Sequence, residues 1–258
     1  MAIDMKKMRD RMSSLKNKGN GGSNKFWRPQ EGDQTIRIVP PEDGDPFKDY
    51  WFHYNLKDSN GNDVPGFLSP KKNFGENCPL DSFVRQLWQD GSEESRKQAK
   101  TLSARQRFFA PVLVRGEEDQ GVRLWGFGKT AYEMLLNLVL NPEYGDITDP
   151  ETGTDLKLTY GKPAGAQFPQ TKIVPRRTSS PMHDNTDLAS ELLESVPDFD
   201  EVFASSRKTV AEVQTILDEY LLSSDDAEGD SSEIKHINAK SSDAGNLVDN
   251  TFAELLAS

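Results

Sequence analysis

Four short stretches of the chain interleave cationic and aromatic side chains: Lys25-Phe26-Trp27-Arg28, Lys71-Lys72-Asn73-Phe74, Arg105-Gln106-Arg107-Phe108-Phe109 and Arg123-Leu124-Trp125-Gly126-Phe127-Gly128-Lys129. Ammonium and guanidinium groups track phosphates, and flat rings take bases by stacking. A surface built from both holds a single nucleic-acid strand without reading its sequence. In any one pair the ring is more often core and the cation solvated. Four such clusters in one body tilt the balance towards binding. Near Val122, strand alternation puts Arg123 and Trp125 on one side, with Leu124 and Phe127 elsewhere. Lys172, Arg176 and Arg177 add positive charge further on, where a solvated loop explains them equally well.

Patterns for catalysis are weaker. Gly128-Lys129-Thr130 stands between a strand and a helix, the place of a phosphate-binding loop. That motif needs a glycine five positions before its second glycine. Here Arg123 holds the position, and Trp125 fills space the phosphates would need. A turn before the helix explains Gly126 and Gly128. His53, His183 and His236 are far apart, and no serine or cysteine has a nearby base. Nothing in this set argues for an enzyme.

The elements that must position the clusters follow from hydrophobic spacing. Thr35 to Val39 alternates and stops at Pro40-Pro41, a strand. Asp49 to Leu56 is an aromatic-rich strand, followed by turn chemistry at Asp58 to Asp63 that suits a hairpin. Pro79 to about Ala104 has helical character, with Leu80, Phe83, Val84, Leu87 and Trp88 on one face. Arg107 to Arg115 and Gly121 to Gly126 bracket an acidic loop as a strand pair. Lys129 to Leu140 is the best helix of the body, stopped by Pro142. Leu156 to Gly161 and Thr171 to Val174 are further strands. Several short strands with interspersed helices predict an α+β fold, an OB-fold-type β-barrel with helical insertions. Asp187 to Leu222 is helical, with Val210, Val213, Ile216, Leu217 and Tyr220 on one face. Ser223 to Asn246 is rich in Ser, Asp and Glu and reads as disordered. Leu247 to Ser258 regains an apolar-acidic pattern suited to a short helix on a partner.

The 258 residues are 34% hydrophobic, low for a fully packed chain, and the net charge of −11 is unevenly spread. Residues 183–258 hold 18 acidic and 4 basic side chains, and residues 1–182 hold 24 acidic and 27 basic. A mildly basic body thus carries an acidic end, which suits a polyanionic partner and a tethered competitor for it. Met1 to Lys18 is a basic helix with a narrow stripe of Met5, Met8, Met12 and Leu15, tethered by the linker Gly19 to Lys25. The expected organisation is a basic arm over 1–25, a binding core over 26–182 with an insertion around 65–104, a helical acidic segment over 183–222 and an acidic, disordered tail over 223–258. Met1 to Lys18 lacks the apolar run of a secretory signal, and no apolar run nears the length that spans a membrane. The single cysteine, Cys78, excludes an internal disulfide and fits a reducing interior.

Four motifs, in this order and spacing, resemble the single-stranded-DNA-binding, helix-destabilising protein of T-even phages and its marine-phage relatives. They are Thr35-Ile36-Arg37-Ile38-Val39-Pro40, the run from Ser69 to Leu80, the strand Arg105 to Val114, and Trp125-Gly126-Phe127-Gly128-Lys129 opening a helix. The similarity covers roughly Gln34 to Met182. It implies an OB-fold whose cleft binds DNA through Arg105, Arg107, Phe108, Phe109 and Trp125, with Lys71 and Lys72. Arg37, Phe74 and Lys129, from the same motifs, and Arg123, from the fourth cationic–aromatic cluster, complete the expected DNA-binding set. It also implies cooperative self-association through the N-terminal arm, where Lys6, Lys7, Arg9 and Arg11 precede Ser13-Ser14. The acidic C-terminus is then expected to cover the cleft and recruit replication and recombination proteins. The compartment implied is the cytoplasm of an infected host cell.

The resembled family carries a zinc ion on one His and three Cys. Here Cys-x-x-Cys has become Cys78-Pro79-Leu80-Asp81, the preceding cysteine position is Ser69, and His53 stands for the histidine. Only His53, Cys78 and Asp81 remain as ligands, so no cofactor is expected. The expected function is cooperative, sequence-independent coating of single-stranded DNA in replication, recombination and repair. The alternative is an acidic adaptor or RNA-binding protein that has no dedicated cleft.

Overall fold

The computed structural model describes residues 25–228. Eight strands form one sheet, and its hub is β5, Arg105–Val114. One edge of β5 pairs antiparallel with β6, Arg123–Phe127. The other edge pairs first with β3, Lys48–His53, and then with β2, Gly32–Ile38. Pro111 marks the change of partner, between the last residue paired with β3 and the first paired with β2. Proline lacks the N–H a continuous ladder needs, so it is tolerated where the ladder breaks. From β2 the sheet continues to β7, Leu156–Gly161, and β8, Gln170–Pro175. From β6 it continues to β1, Phe26–Trp27, the one parallel neighbour along this path. Among the described residues β1 and β8 do not meet, so the sheet is open.

The insertion starts as a hairpin. β4, Phe67–Leu68, pairs back onto Phe52 and His53 after a turn closed by Asp58, whose carboxylate accepts from the Asn60 and Asn62 amides. Three helices follow: α1, Pro70–Phe74; α2, Pro79–Asp90; and α3, Glu93–Leu102. The single helical stretch expected over 79–104 is two helices. Gly91 at φ 74° ends the first, and the Ser92 hydroxyl accepts the Ser95 amide to start the second. α4, Lys129–Val139, packs Ala131 and Leu135 onto the sheet.

Three helices between Thr186 and Glu228 are built into the body. α5, Thr186–Glu194, covers Val39, Leu113, Val122 and Met182. α6, Phe199–Phe203, inserts both phenylalanines against Phe52, Phe109 and Leu124. α7, Val210–Glu228, buries Val213 and Leu217 against Cys78, Leu80 and Val84 of the insertion. Each such ring or aliphatic side chain contributes about 1.5–3 kcal/mol on burial. Residues 183–228 hold 13 of the 18 acidic side chains found beyond Met182. Most of the acidic charge beyond Met182 therefore lies in residues 183–228. No helix among the described residues is long and apolar enough to cross a membrane.

Candidate nucleic-acid interface

Side chains two apart on a strand share a face. Arg105 and Arg107 therefore point the same way from β5, opposite Phe52 and Tyr50 of β3. Burial lowers the Arg105 pKa, and the positive charge of Arg107 lowers it further. Among the described residues no carboxylate forms an ion pair with Arg105. A partly desolvated guanidinium beside another is a poor arrangement until an anion joins it. Tyr50 is pushed up to about 12, by burial first and then by the carboxylates of Asp200, Asp198 and Asp49.

Arg107 also lines a cavity of about 570 Å³. Its other walls include Trp27, Arg28, Gly128, Thr130 and Tyr160. Three separate features of the fold assemble it. β1 lies against β6, setting Trp27 edge-on to Trp125 at 6.0 Å between ring centroids. The turn at Gly128 opens α4 with Arg107 Nη1 beside it, 3.8 Å from where a side chain on Gly128 would start. The ladder β2–β7–β8 brings Tyr160 across. The cavity thus combines cations, aromatic surface and backbone amides, the mixture that suits a nucleotide.

A second patch joins α1 to β3. Asn73 accepts the Trp51 amide through Oδ1 and donates to the Trp51 carbonyl through Nδ2, at 2.9 and 2.8 Å. That clamp holds Lys72 Nζ 5.2 Å from the Trp51 ring centroid. Lys71 and Lys72 are exposed, and Phe74 is partly covered by the Arg207 guanidinium at 4.2 Å. Lys129 is exposed at the start of α4, within 3.6 Å of Glu133.

Five of the residues expected to touch DNA lie inside the fold. Arg37 is fully enclosed: its guanidinium pairs with Asp155 at 2.9 Å and donates to the carbonyls of Asp149, Gly153 and Ser180. It ties β2 to the loop before β7 and to the segment after β8. Arg123 is buried and paired with Glu117. Phe108 stacks on Tyr132 with centroids 4.0 Å apart, beneath α4. Phe109 packs under Phe203 on the opposite face. Trp125 is in the main core, on the same face as Phe127 rather than apart from it, since the two stand two positions apart on one strand. The cationic and aromatic residues alternate as expected, but both faces of this part of the sheet are covered. Arg28, Trp27, Tyr50 and Trp51 were within basic or aromatic runs yet outside the expected set. Tyr160 carried no local signal, because only the β2–β7 pairing brings it to the site.

The degenerate zinc positions do come together. His53 Nε2 lies 3.8 Å from Cys78 Sγ and 3.6 Å from Asp81 Oδ2. Ser69 Oγ donates to Asp81 Oδ2 at 2.9 Å. The other imidazole nitrogen, Nδ1, bonds the Leu102 carbonyl at 3.0 Å. Burial disfavours the charged imidazole, but Asp81 and Cys78 outweigh it and push His53 up to about 9. Burial also opposes ionisation of Asp81, and His53 and Ser69 overcome that, drawing it down to about 2. Structural zinc sites take four thiolate or imidazole donors. This set has one of each, plus a carboxylate and a hydroxyl, and the hydroxyl already caps α1 by accepting the Lys72 amide. The donors do not fit a structural zinc.

The arm residues Lys6, Lys7, Arg9, Arg11, Ser13 and Ser14, like the tail beyond Glu228, lie outside the described residues. A family model described as gp32 DNA binding protein like matches residues 30–219. No curated protein matches the chain.

Proposed function

We propose, because this chain belongs to the gp32 DNA binding protein like family, that its body binds single-stranded DNA without sequence preference. The observation that carries the reading is the Arg105–Arg107 face of β5, which runs into a cavity with aromatic walls. Arg28, Arg105 and Arg107 take phosphates there, and Tyr160 with the rim of Trp27 offers surface to bases. Lys71, Lys72, Phe74 and Trp51 extend the path, and Lys129 adds charge at the start of α4. The chain is on this reading a binder, not an enzyme.

The finer reading rests on the family resemblance and on charge. The β5-centred open sheet is an elaborated relative of the OB type, left unclosed between β1 and β8 among the described residues. The arm bearing Lys6, Lys7, Arg9, Arg11, Ser13 and Ser14 docks on a neighbouring copy and makes coating cooperative. The acidic C-terminal region limits access to the cleft and recruits replication and recombination proteins. The setting is phage DNA replication, recombination and repair in the cytoplasm of an infected host.

The test is a titration of oligo-dT into the full chain, followed by tryptophan fluorescence over a salt series. If about five phosphates are neutralised, log affinity falls with log salt at a slope near −3.5. Absence of both quenching and salt dependence would remove the cleft. Equal affinity for oligo-dT and oligo-U would favour the adaptor or RNA-binding alternative.

A further inference from the structure

The side chains of His53, Ser69, Cys78 and Asp81 come from three segments that are separate in sequence. His53 comes from β3, Ser69 from the end of β4, and Cys78 and Asp81 from the start of α2. Through His53 Nδ1 the cluster also grips the Leu102 carbonyl at the end of α3. His53, Ser69 and Cys78 are fully buried, and the Asp81 side chain is nearly so.

The polar groups of the cluster bond one another or adjacent backbone. The Asp81 carboxylate accepts the Ser69 hydroxyl and faces the imidazole. The Ser69 oxygen in turn accepts the Lys72 amide. Cys78 Sγ accepts the Asp81 amide at 3.5 Å, serving as the N-cap of α2, and lies beside His53 Nε2. Buried polar groups are costly when half-satisfied and rigid when complete. Serine and aspartate in place of thiolates turn a donor set that needs an ion into one that closes on itself.

We infer that these four side chains form a metal-independent pin, which holds the helical insertion on the sheet by mutual hydrogen bonding and ion pairing. The pin stands where the resembled family carries its zinc, and it does the same mechanical work without one. Its ends matter because α3 runs directly into Arg105: the bond to Leu102 sets where β5 begins. The pin is independent of what the cleft binds.

The experiment uses the full chain, expressed in zinc-supplemented medium and dialysed against metal-free buffer. Metal per chain is measured by atomic emission, and thermal unfolding is followed with and without EDTA. The expected result is far less than one zinc per chain and a Tm that chelation leaves in place. One tightly held zinc per chain, with a Tm that falls on chelation, overturns the inference, because a structural metal contributes its binding energy to folding. In the same metal-free buffer Asp81→Ala is expected to lower Tm by several degrees. An unchanged Tm for that variant would equally overturn it.

Discussion

Arg107 stands two residues beyond Arg105 on the same face of β5, and after burial its charge is what lowers the Arg105 pKa. Phe52 and Tyr50 lie directly across the ladder from the pair, and both are packed among rings. A binding strand resolves the repulsion, since each phosphate brings one negative charge.

Replacing both arginines, Arg105→Ala with Arg107→Ala, is therefore expected to weaken oligo-dT binding and to flatten its salt dependence. Two lost phosphate contacts reduce the slope by about 1.4. Fluorescence titrations across a salt series measure this directly. A double variant with the parent's slope would place the strand elsewhere on the surface.

Arg37 is expected to behave oppositely. Removing it leaves Asp155 buried with one fewer partner, although Arg115 still holds both carboxylate oxygens at 2.9 and 3.0 Å. Loss of one partner from a buried pair costs about 3–5 kcal/mol, and the remaining arginine puts Arg37→Ala at the lower end. Urea unfolding gives the cost. The folded fraction should bind oligo-dT with an unaltered salt slope; a reduced slope would mean that Arg37 reaches DNA after all.

Cutting the chain separates a structural role of its acidic end from a competitive one. A chain ending at Met182 loses Phe199, Phe203, Val213 and Leu217 from two buried clusters, and is expected not to unfold cooperatively. A chain ending at Glu228 keeps them and sheds a net charge of only −3. Its Tm should match the parent's, and its affinity for oligo-dT should change by less than about fivefold, since exposed charges contribute little each. Circular dichroism melts and the same titration decide both points. A large gain in affinity would show that the last thirty residues compete well beyond their charge.

Phe203 tests the packing of α6 alone. Its ring lies 4.7 Å from the centroids of Phe109 and Tyr50, 5.7 Å from that of Phe52 and 5.9 Å from that of Phe26. Phe203→Ala leaves a cavity among four rings and is expected to cost about 3–5 kcal/mol. A loss under 1 kcal/mol in denaturant titration, on the scale of an exposed substitution, would show α6 to be loosely held.

Much of the local structure was legible from residue order. Alternation at Thr35 to Ile38 and at Leu156 to Gly161 marks strands that need no distant partner to be recognised, because β-branched and apolar residues at period two suit only a pleated, half-buried surface. The break between α2 and α3 was also legible in Gly91-Ser92, a left-handed stop followed by a hydroxyl cap, although the helical face running on from Leu80 hid it. The role of Asn73 was not legible, since its two bonds go to the backbone of Trp51, 22 positions earlier in the chain.

By itself the sequence determined where cations and rings are concentrated, which strand residues share a face, and that basic body and acidic end differ in charge. Only the tertiary structure decided which of those residues meet solvent. Alternation sorts Phe108 from Phe109 and Arg123 from Leu124, but it cannot say that α4 covers one face and α6 the other, since those layers arrive from distant parts of the chain. Burial is a property of what packs on top. For that reason Arg37, Phe109 and Trp125 became framework, while Arg28, Arg107 and Tyr160, from three segments far apart in sequence, came to line one cavity.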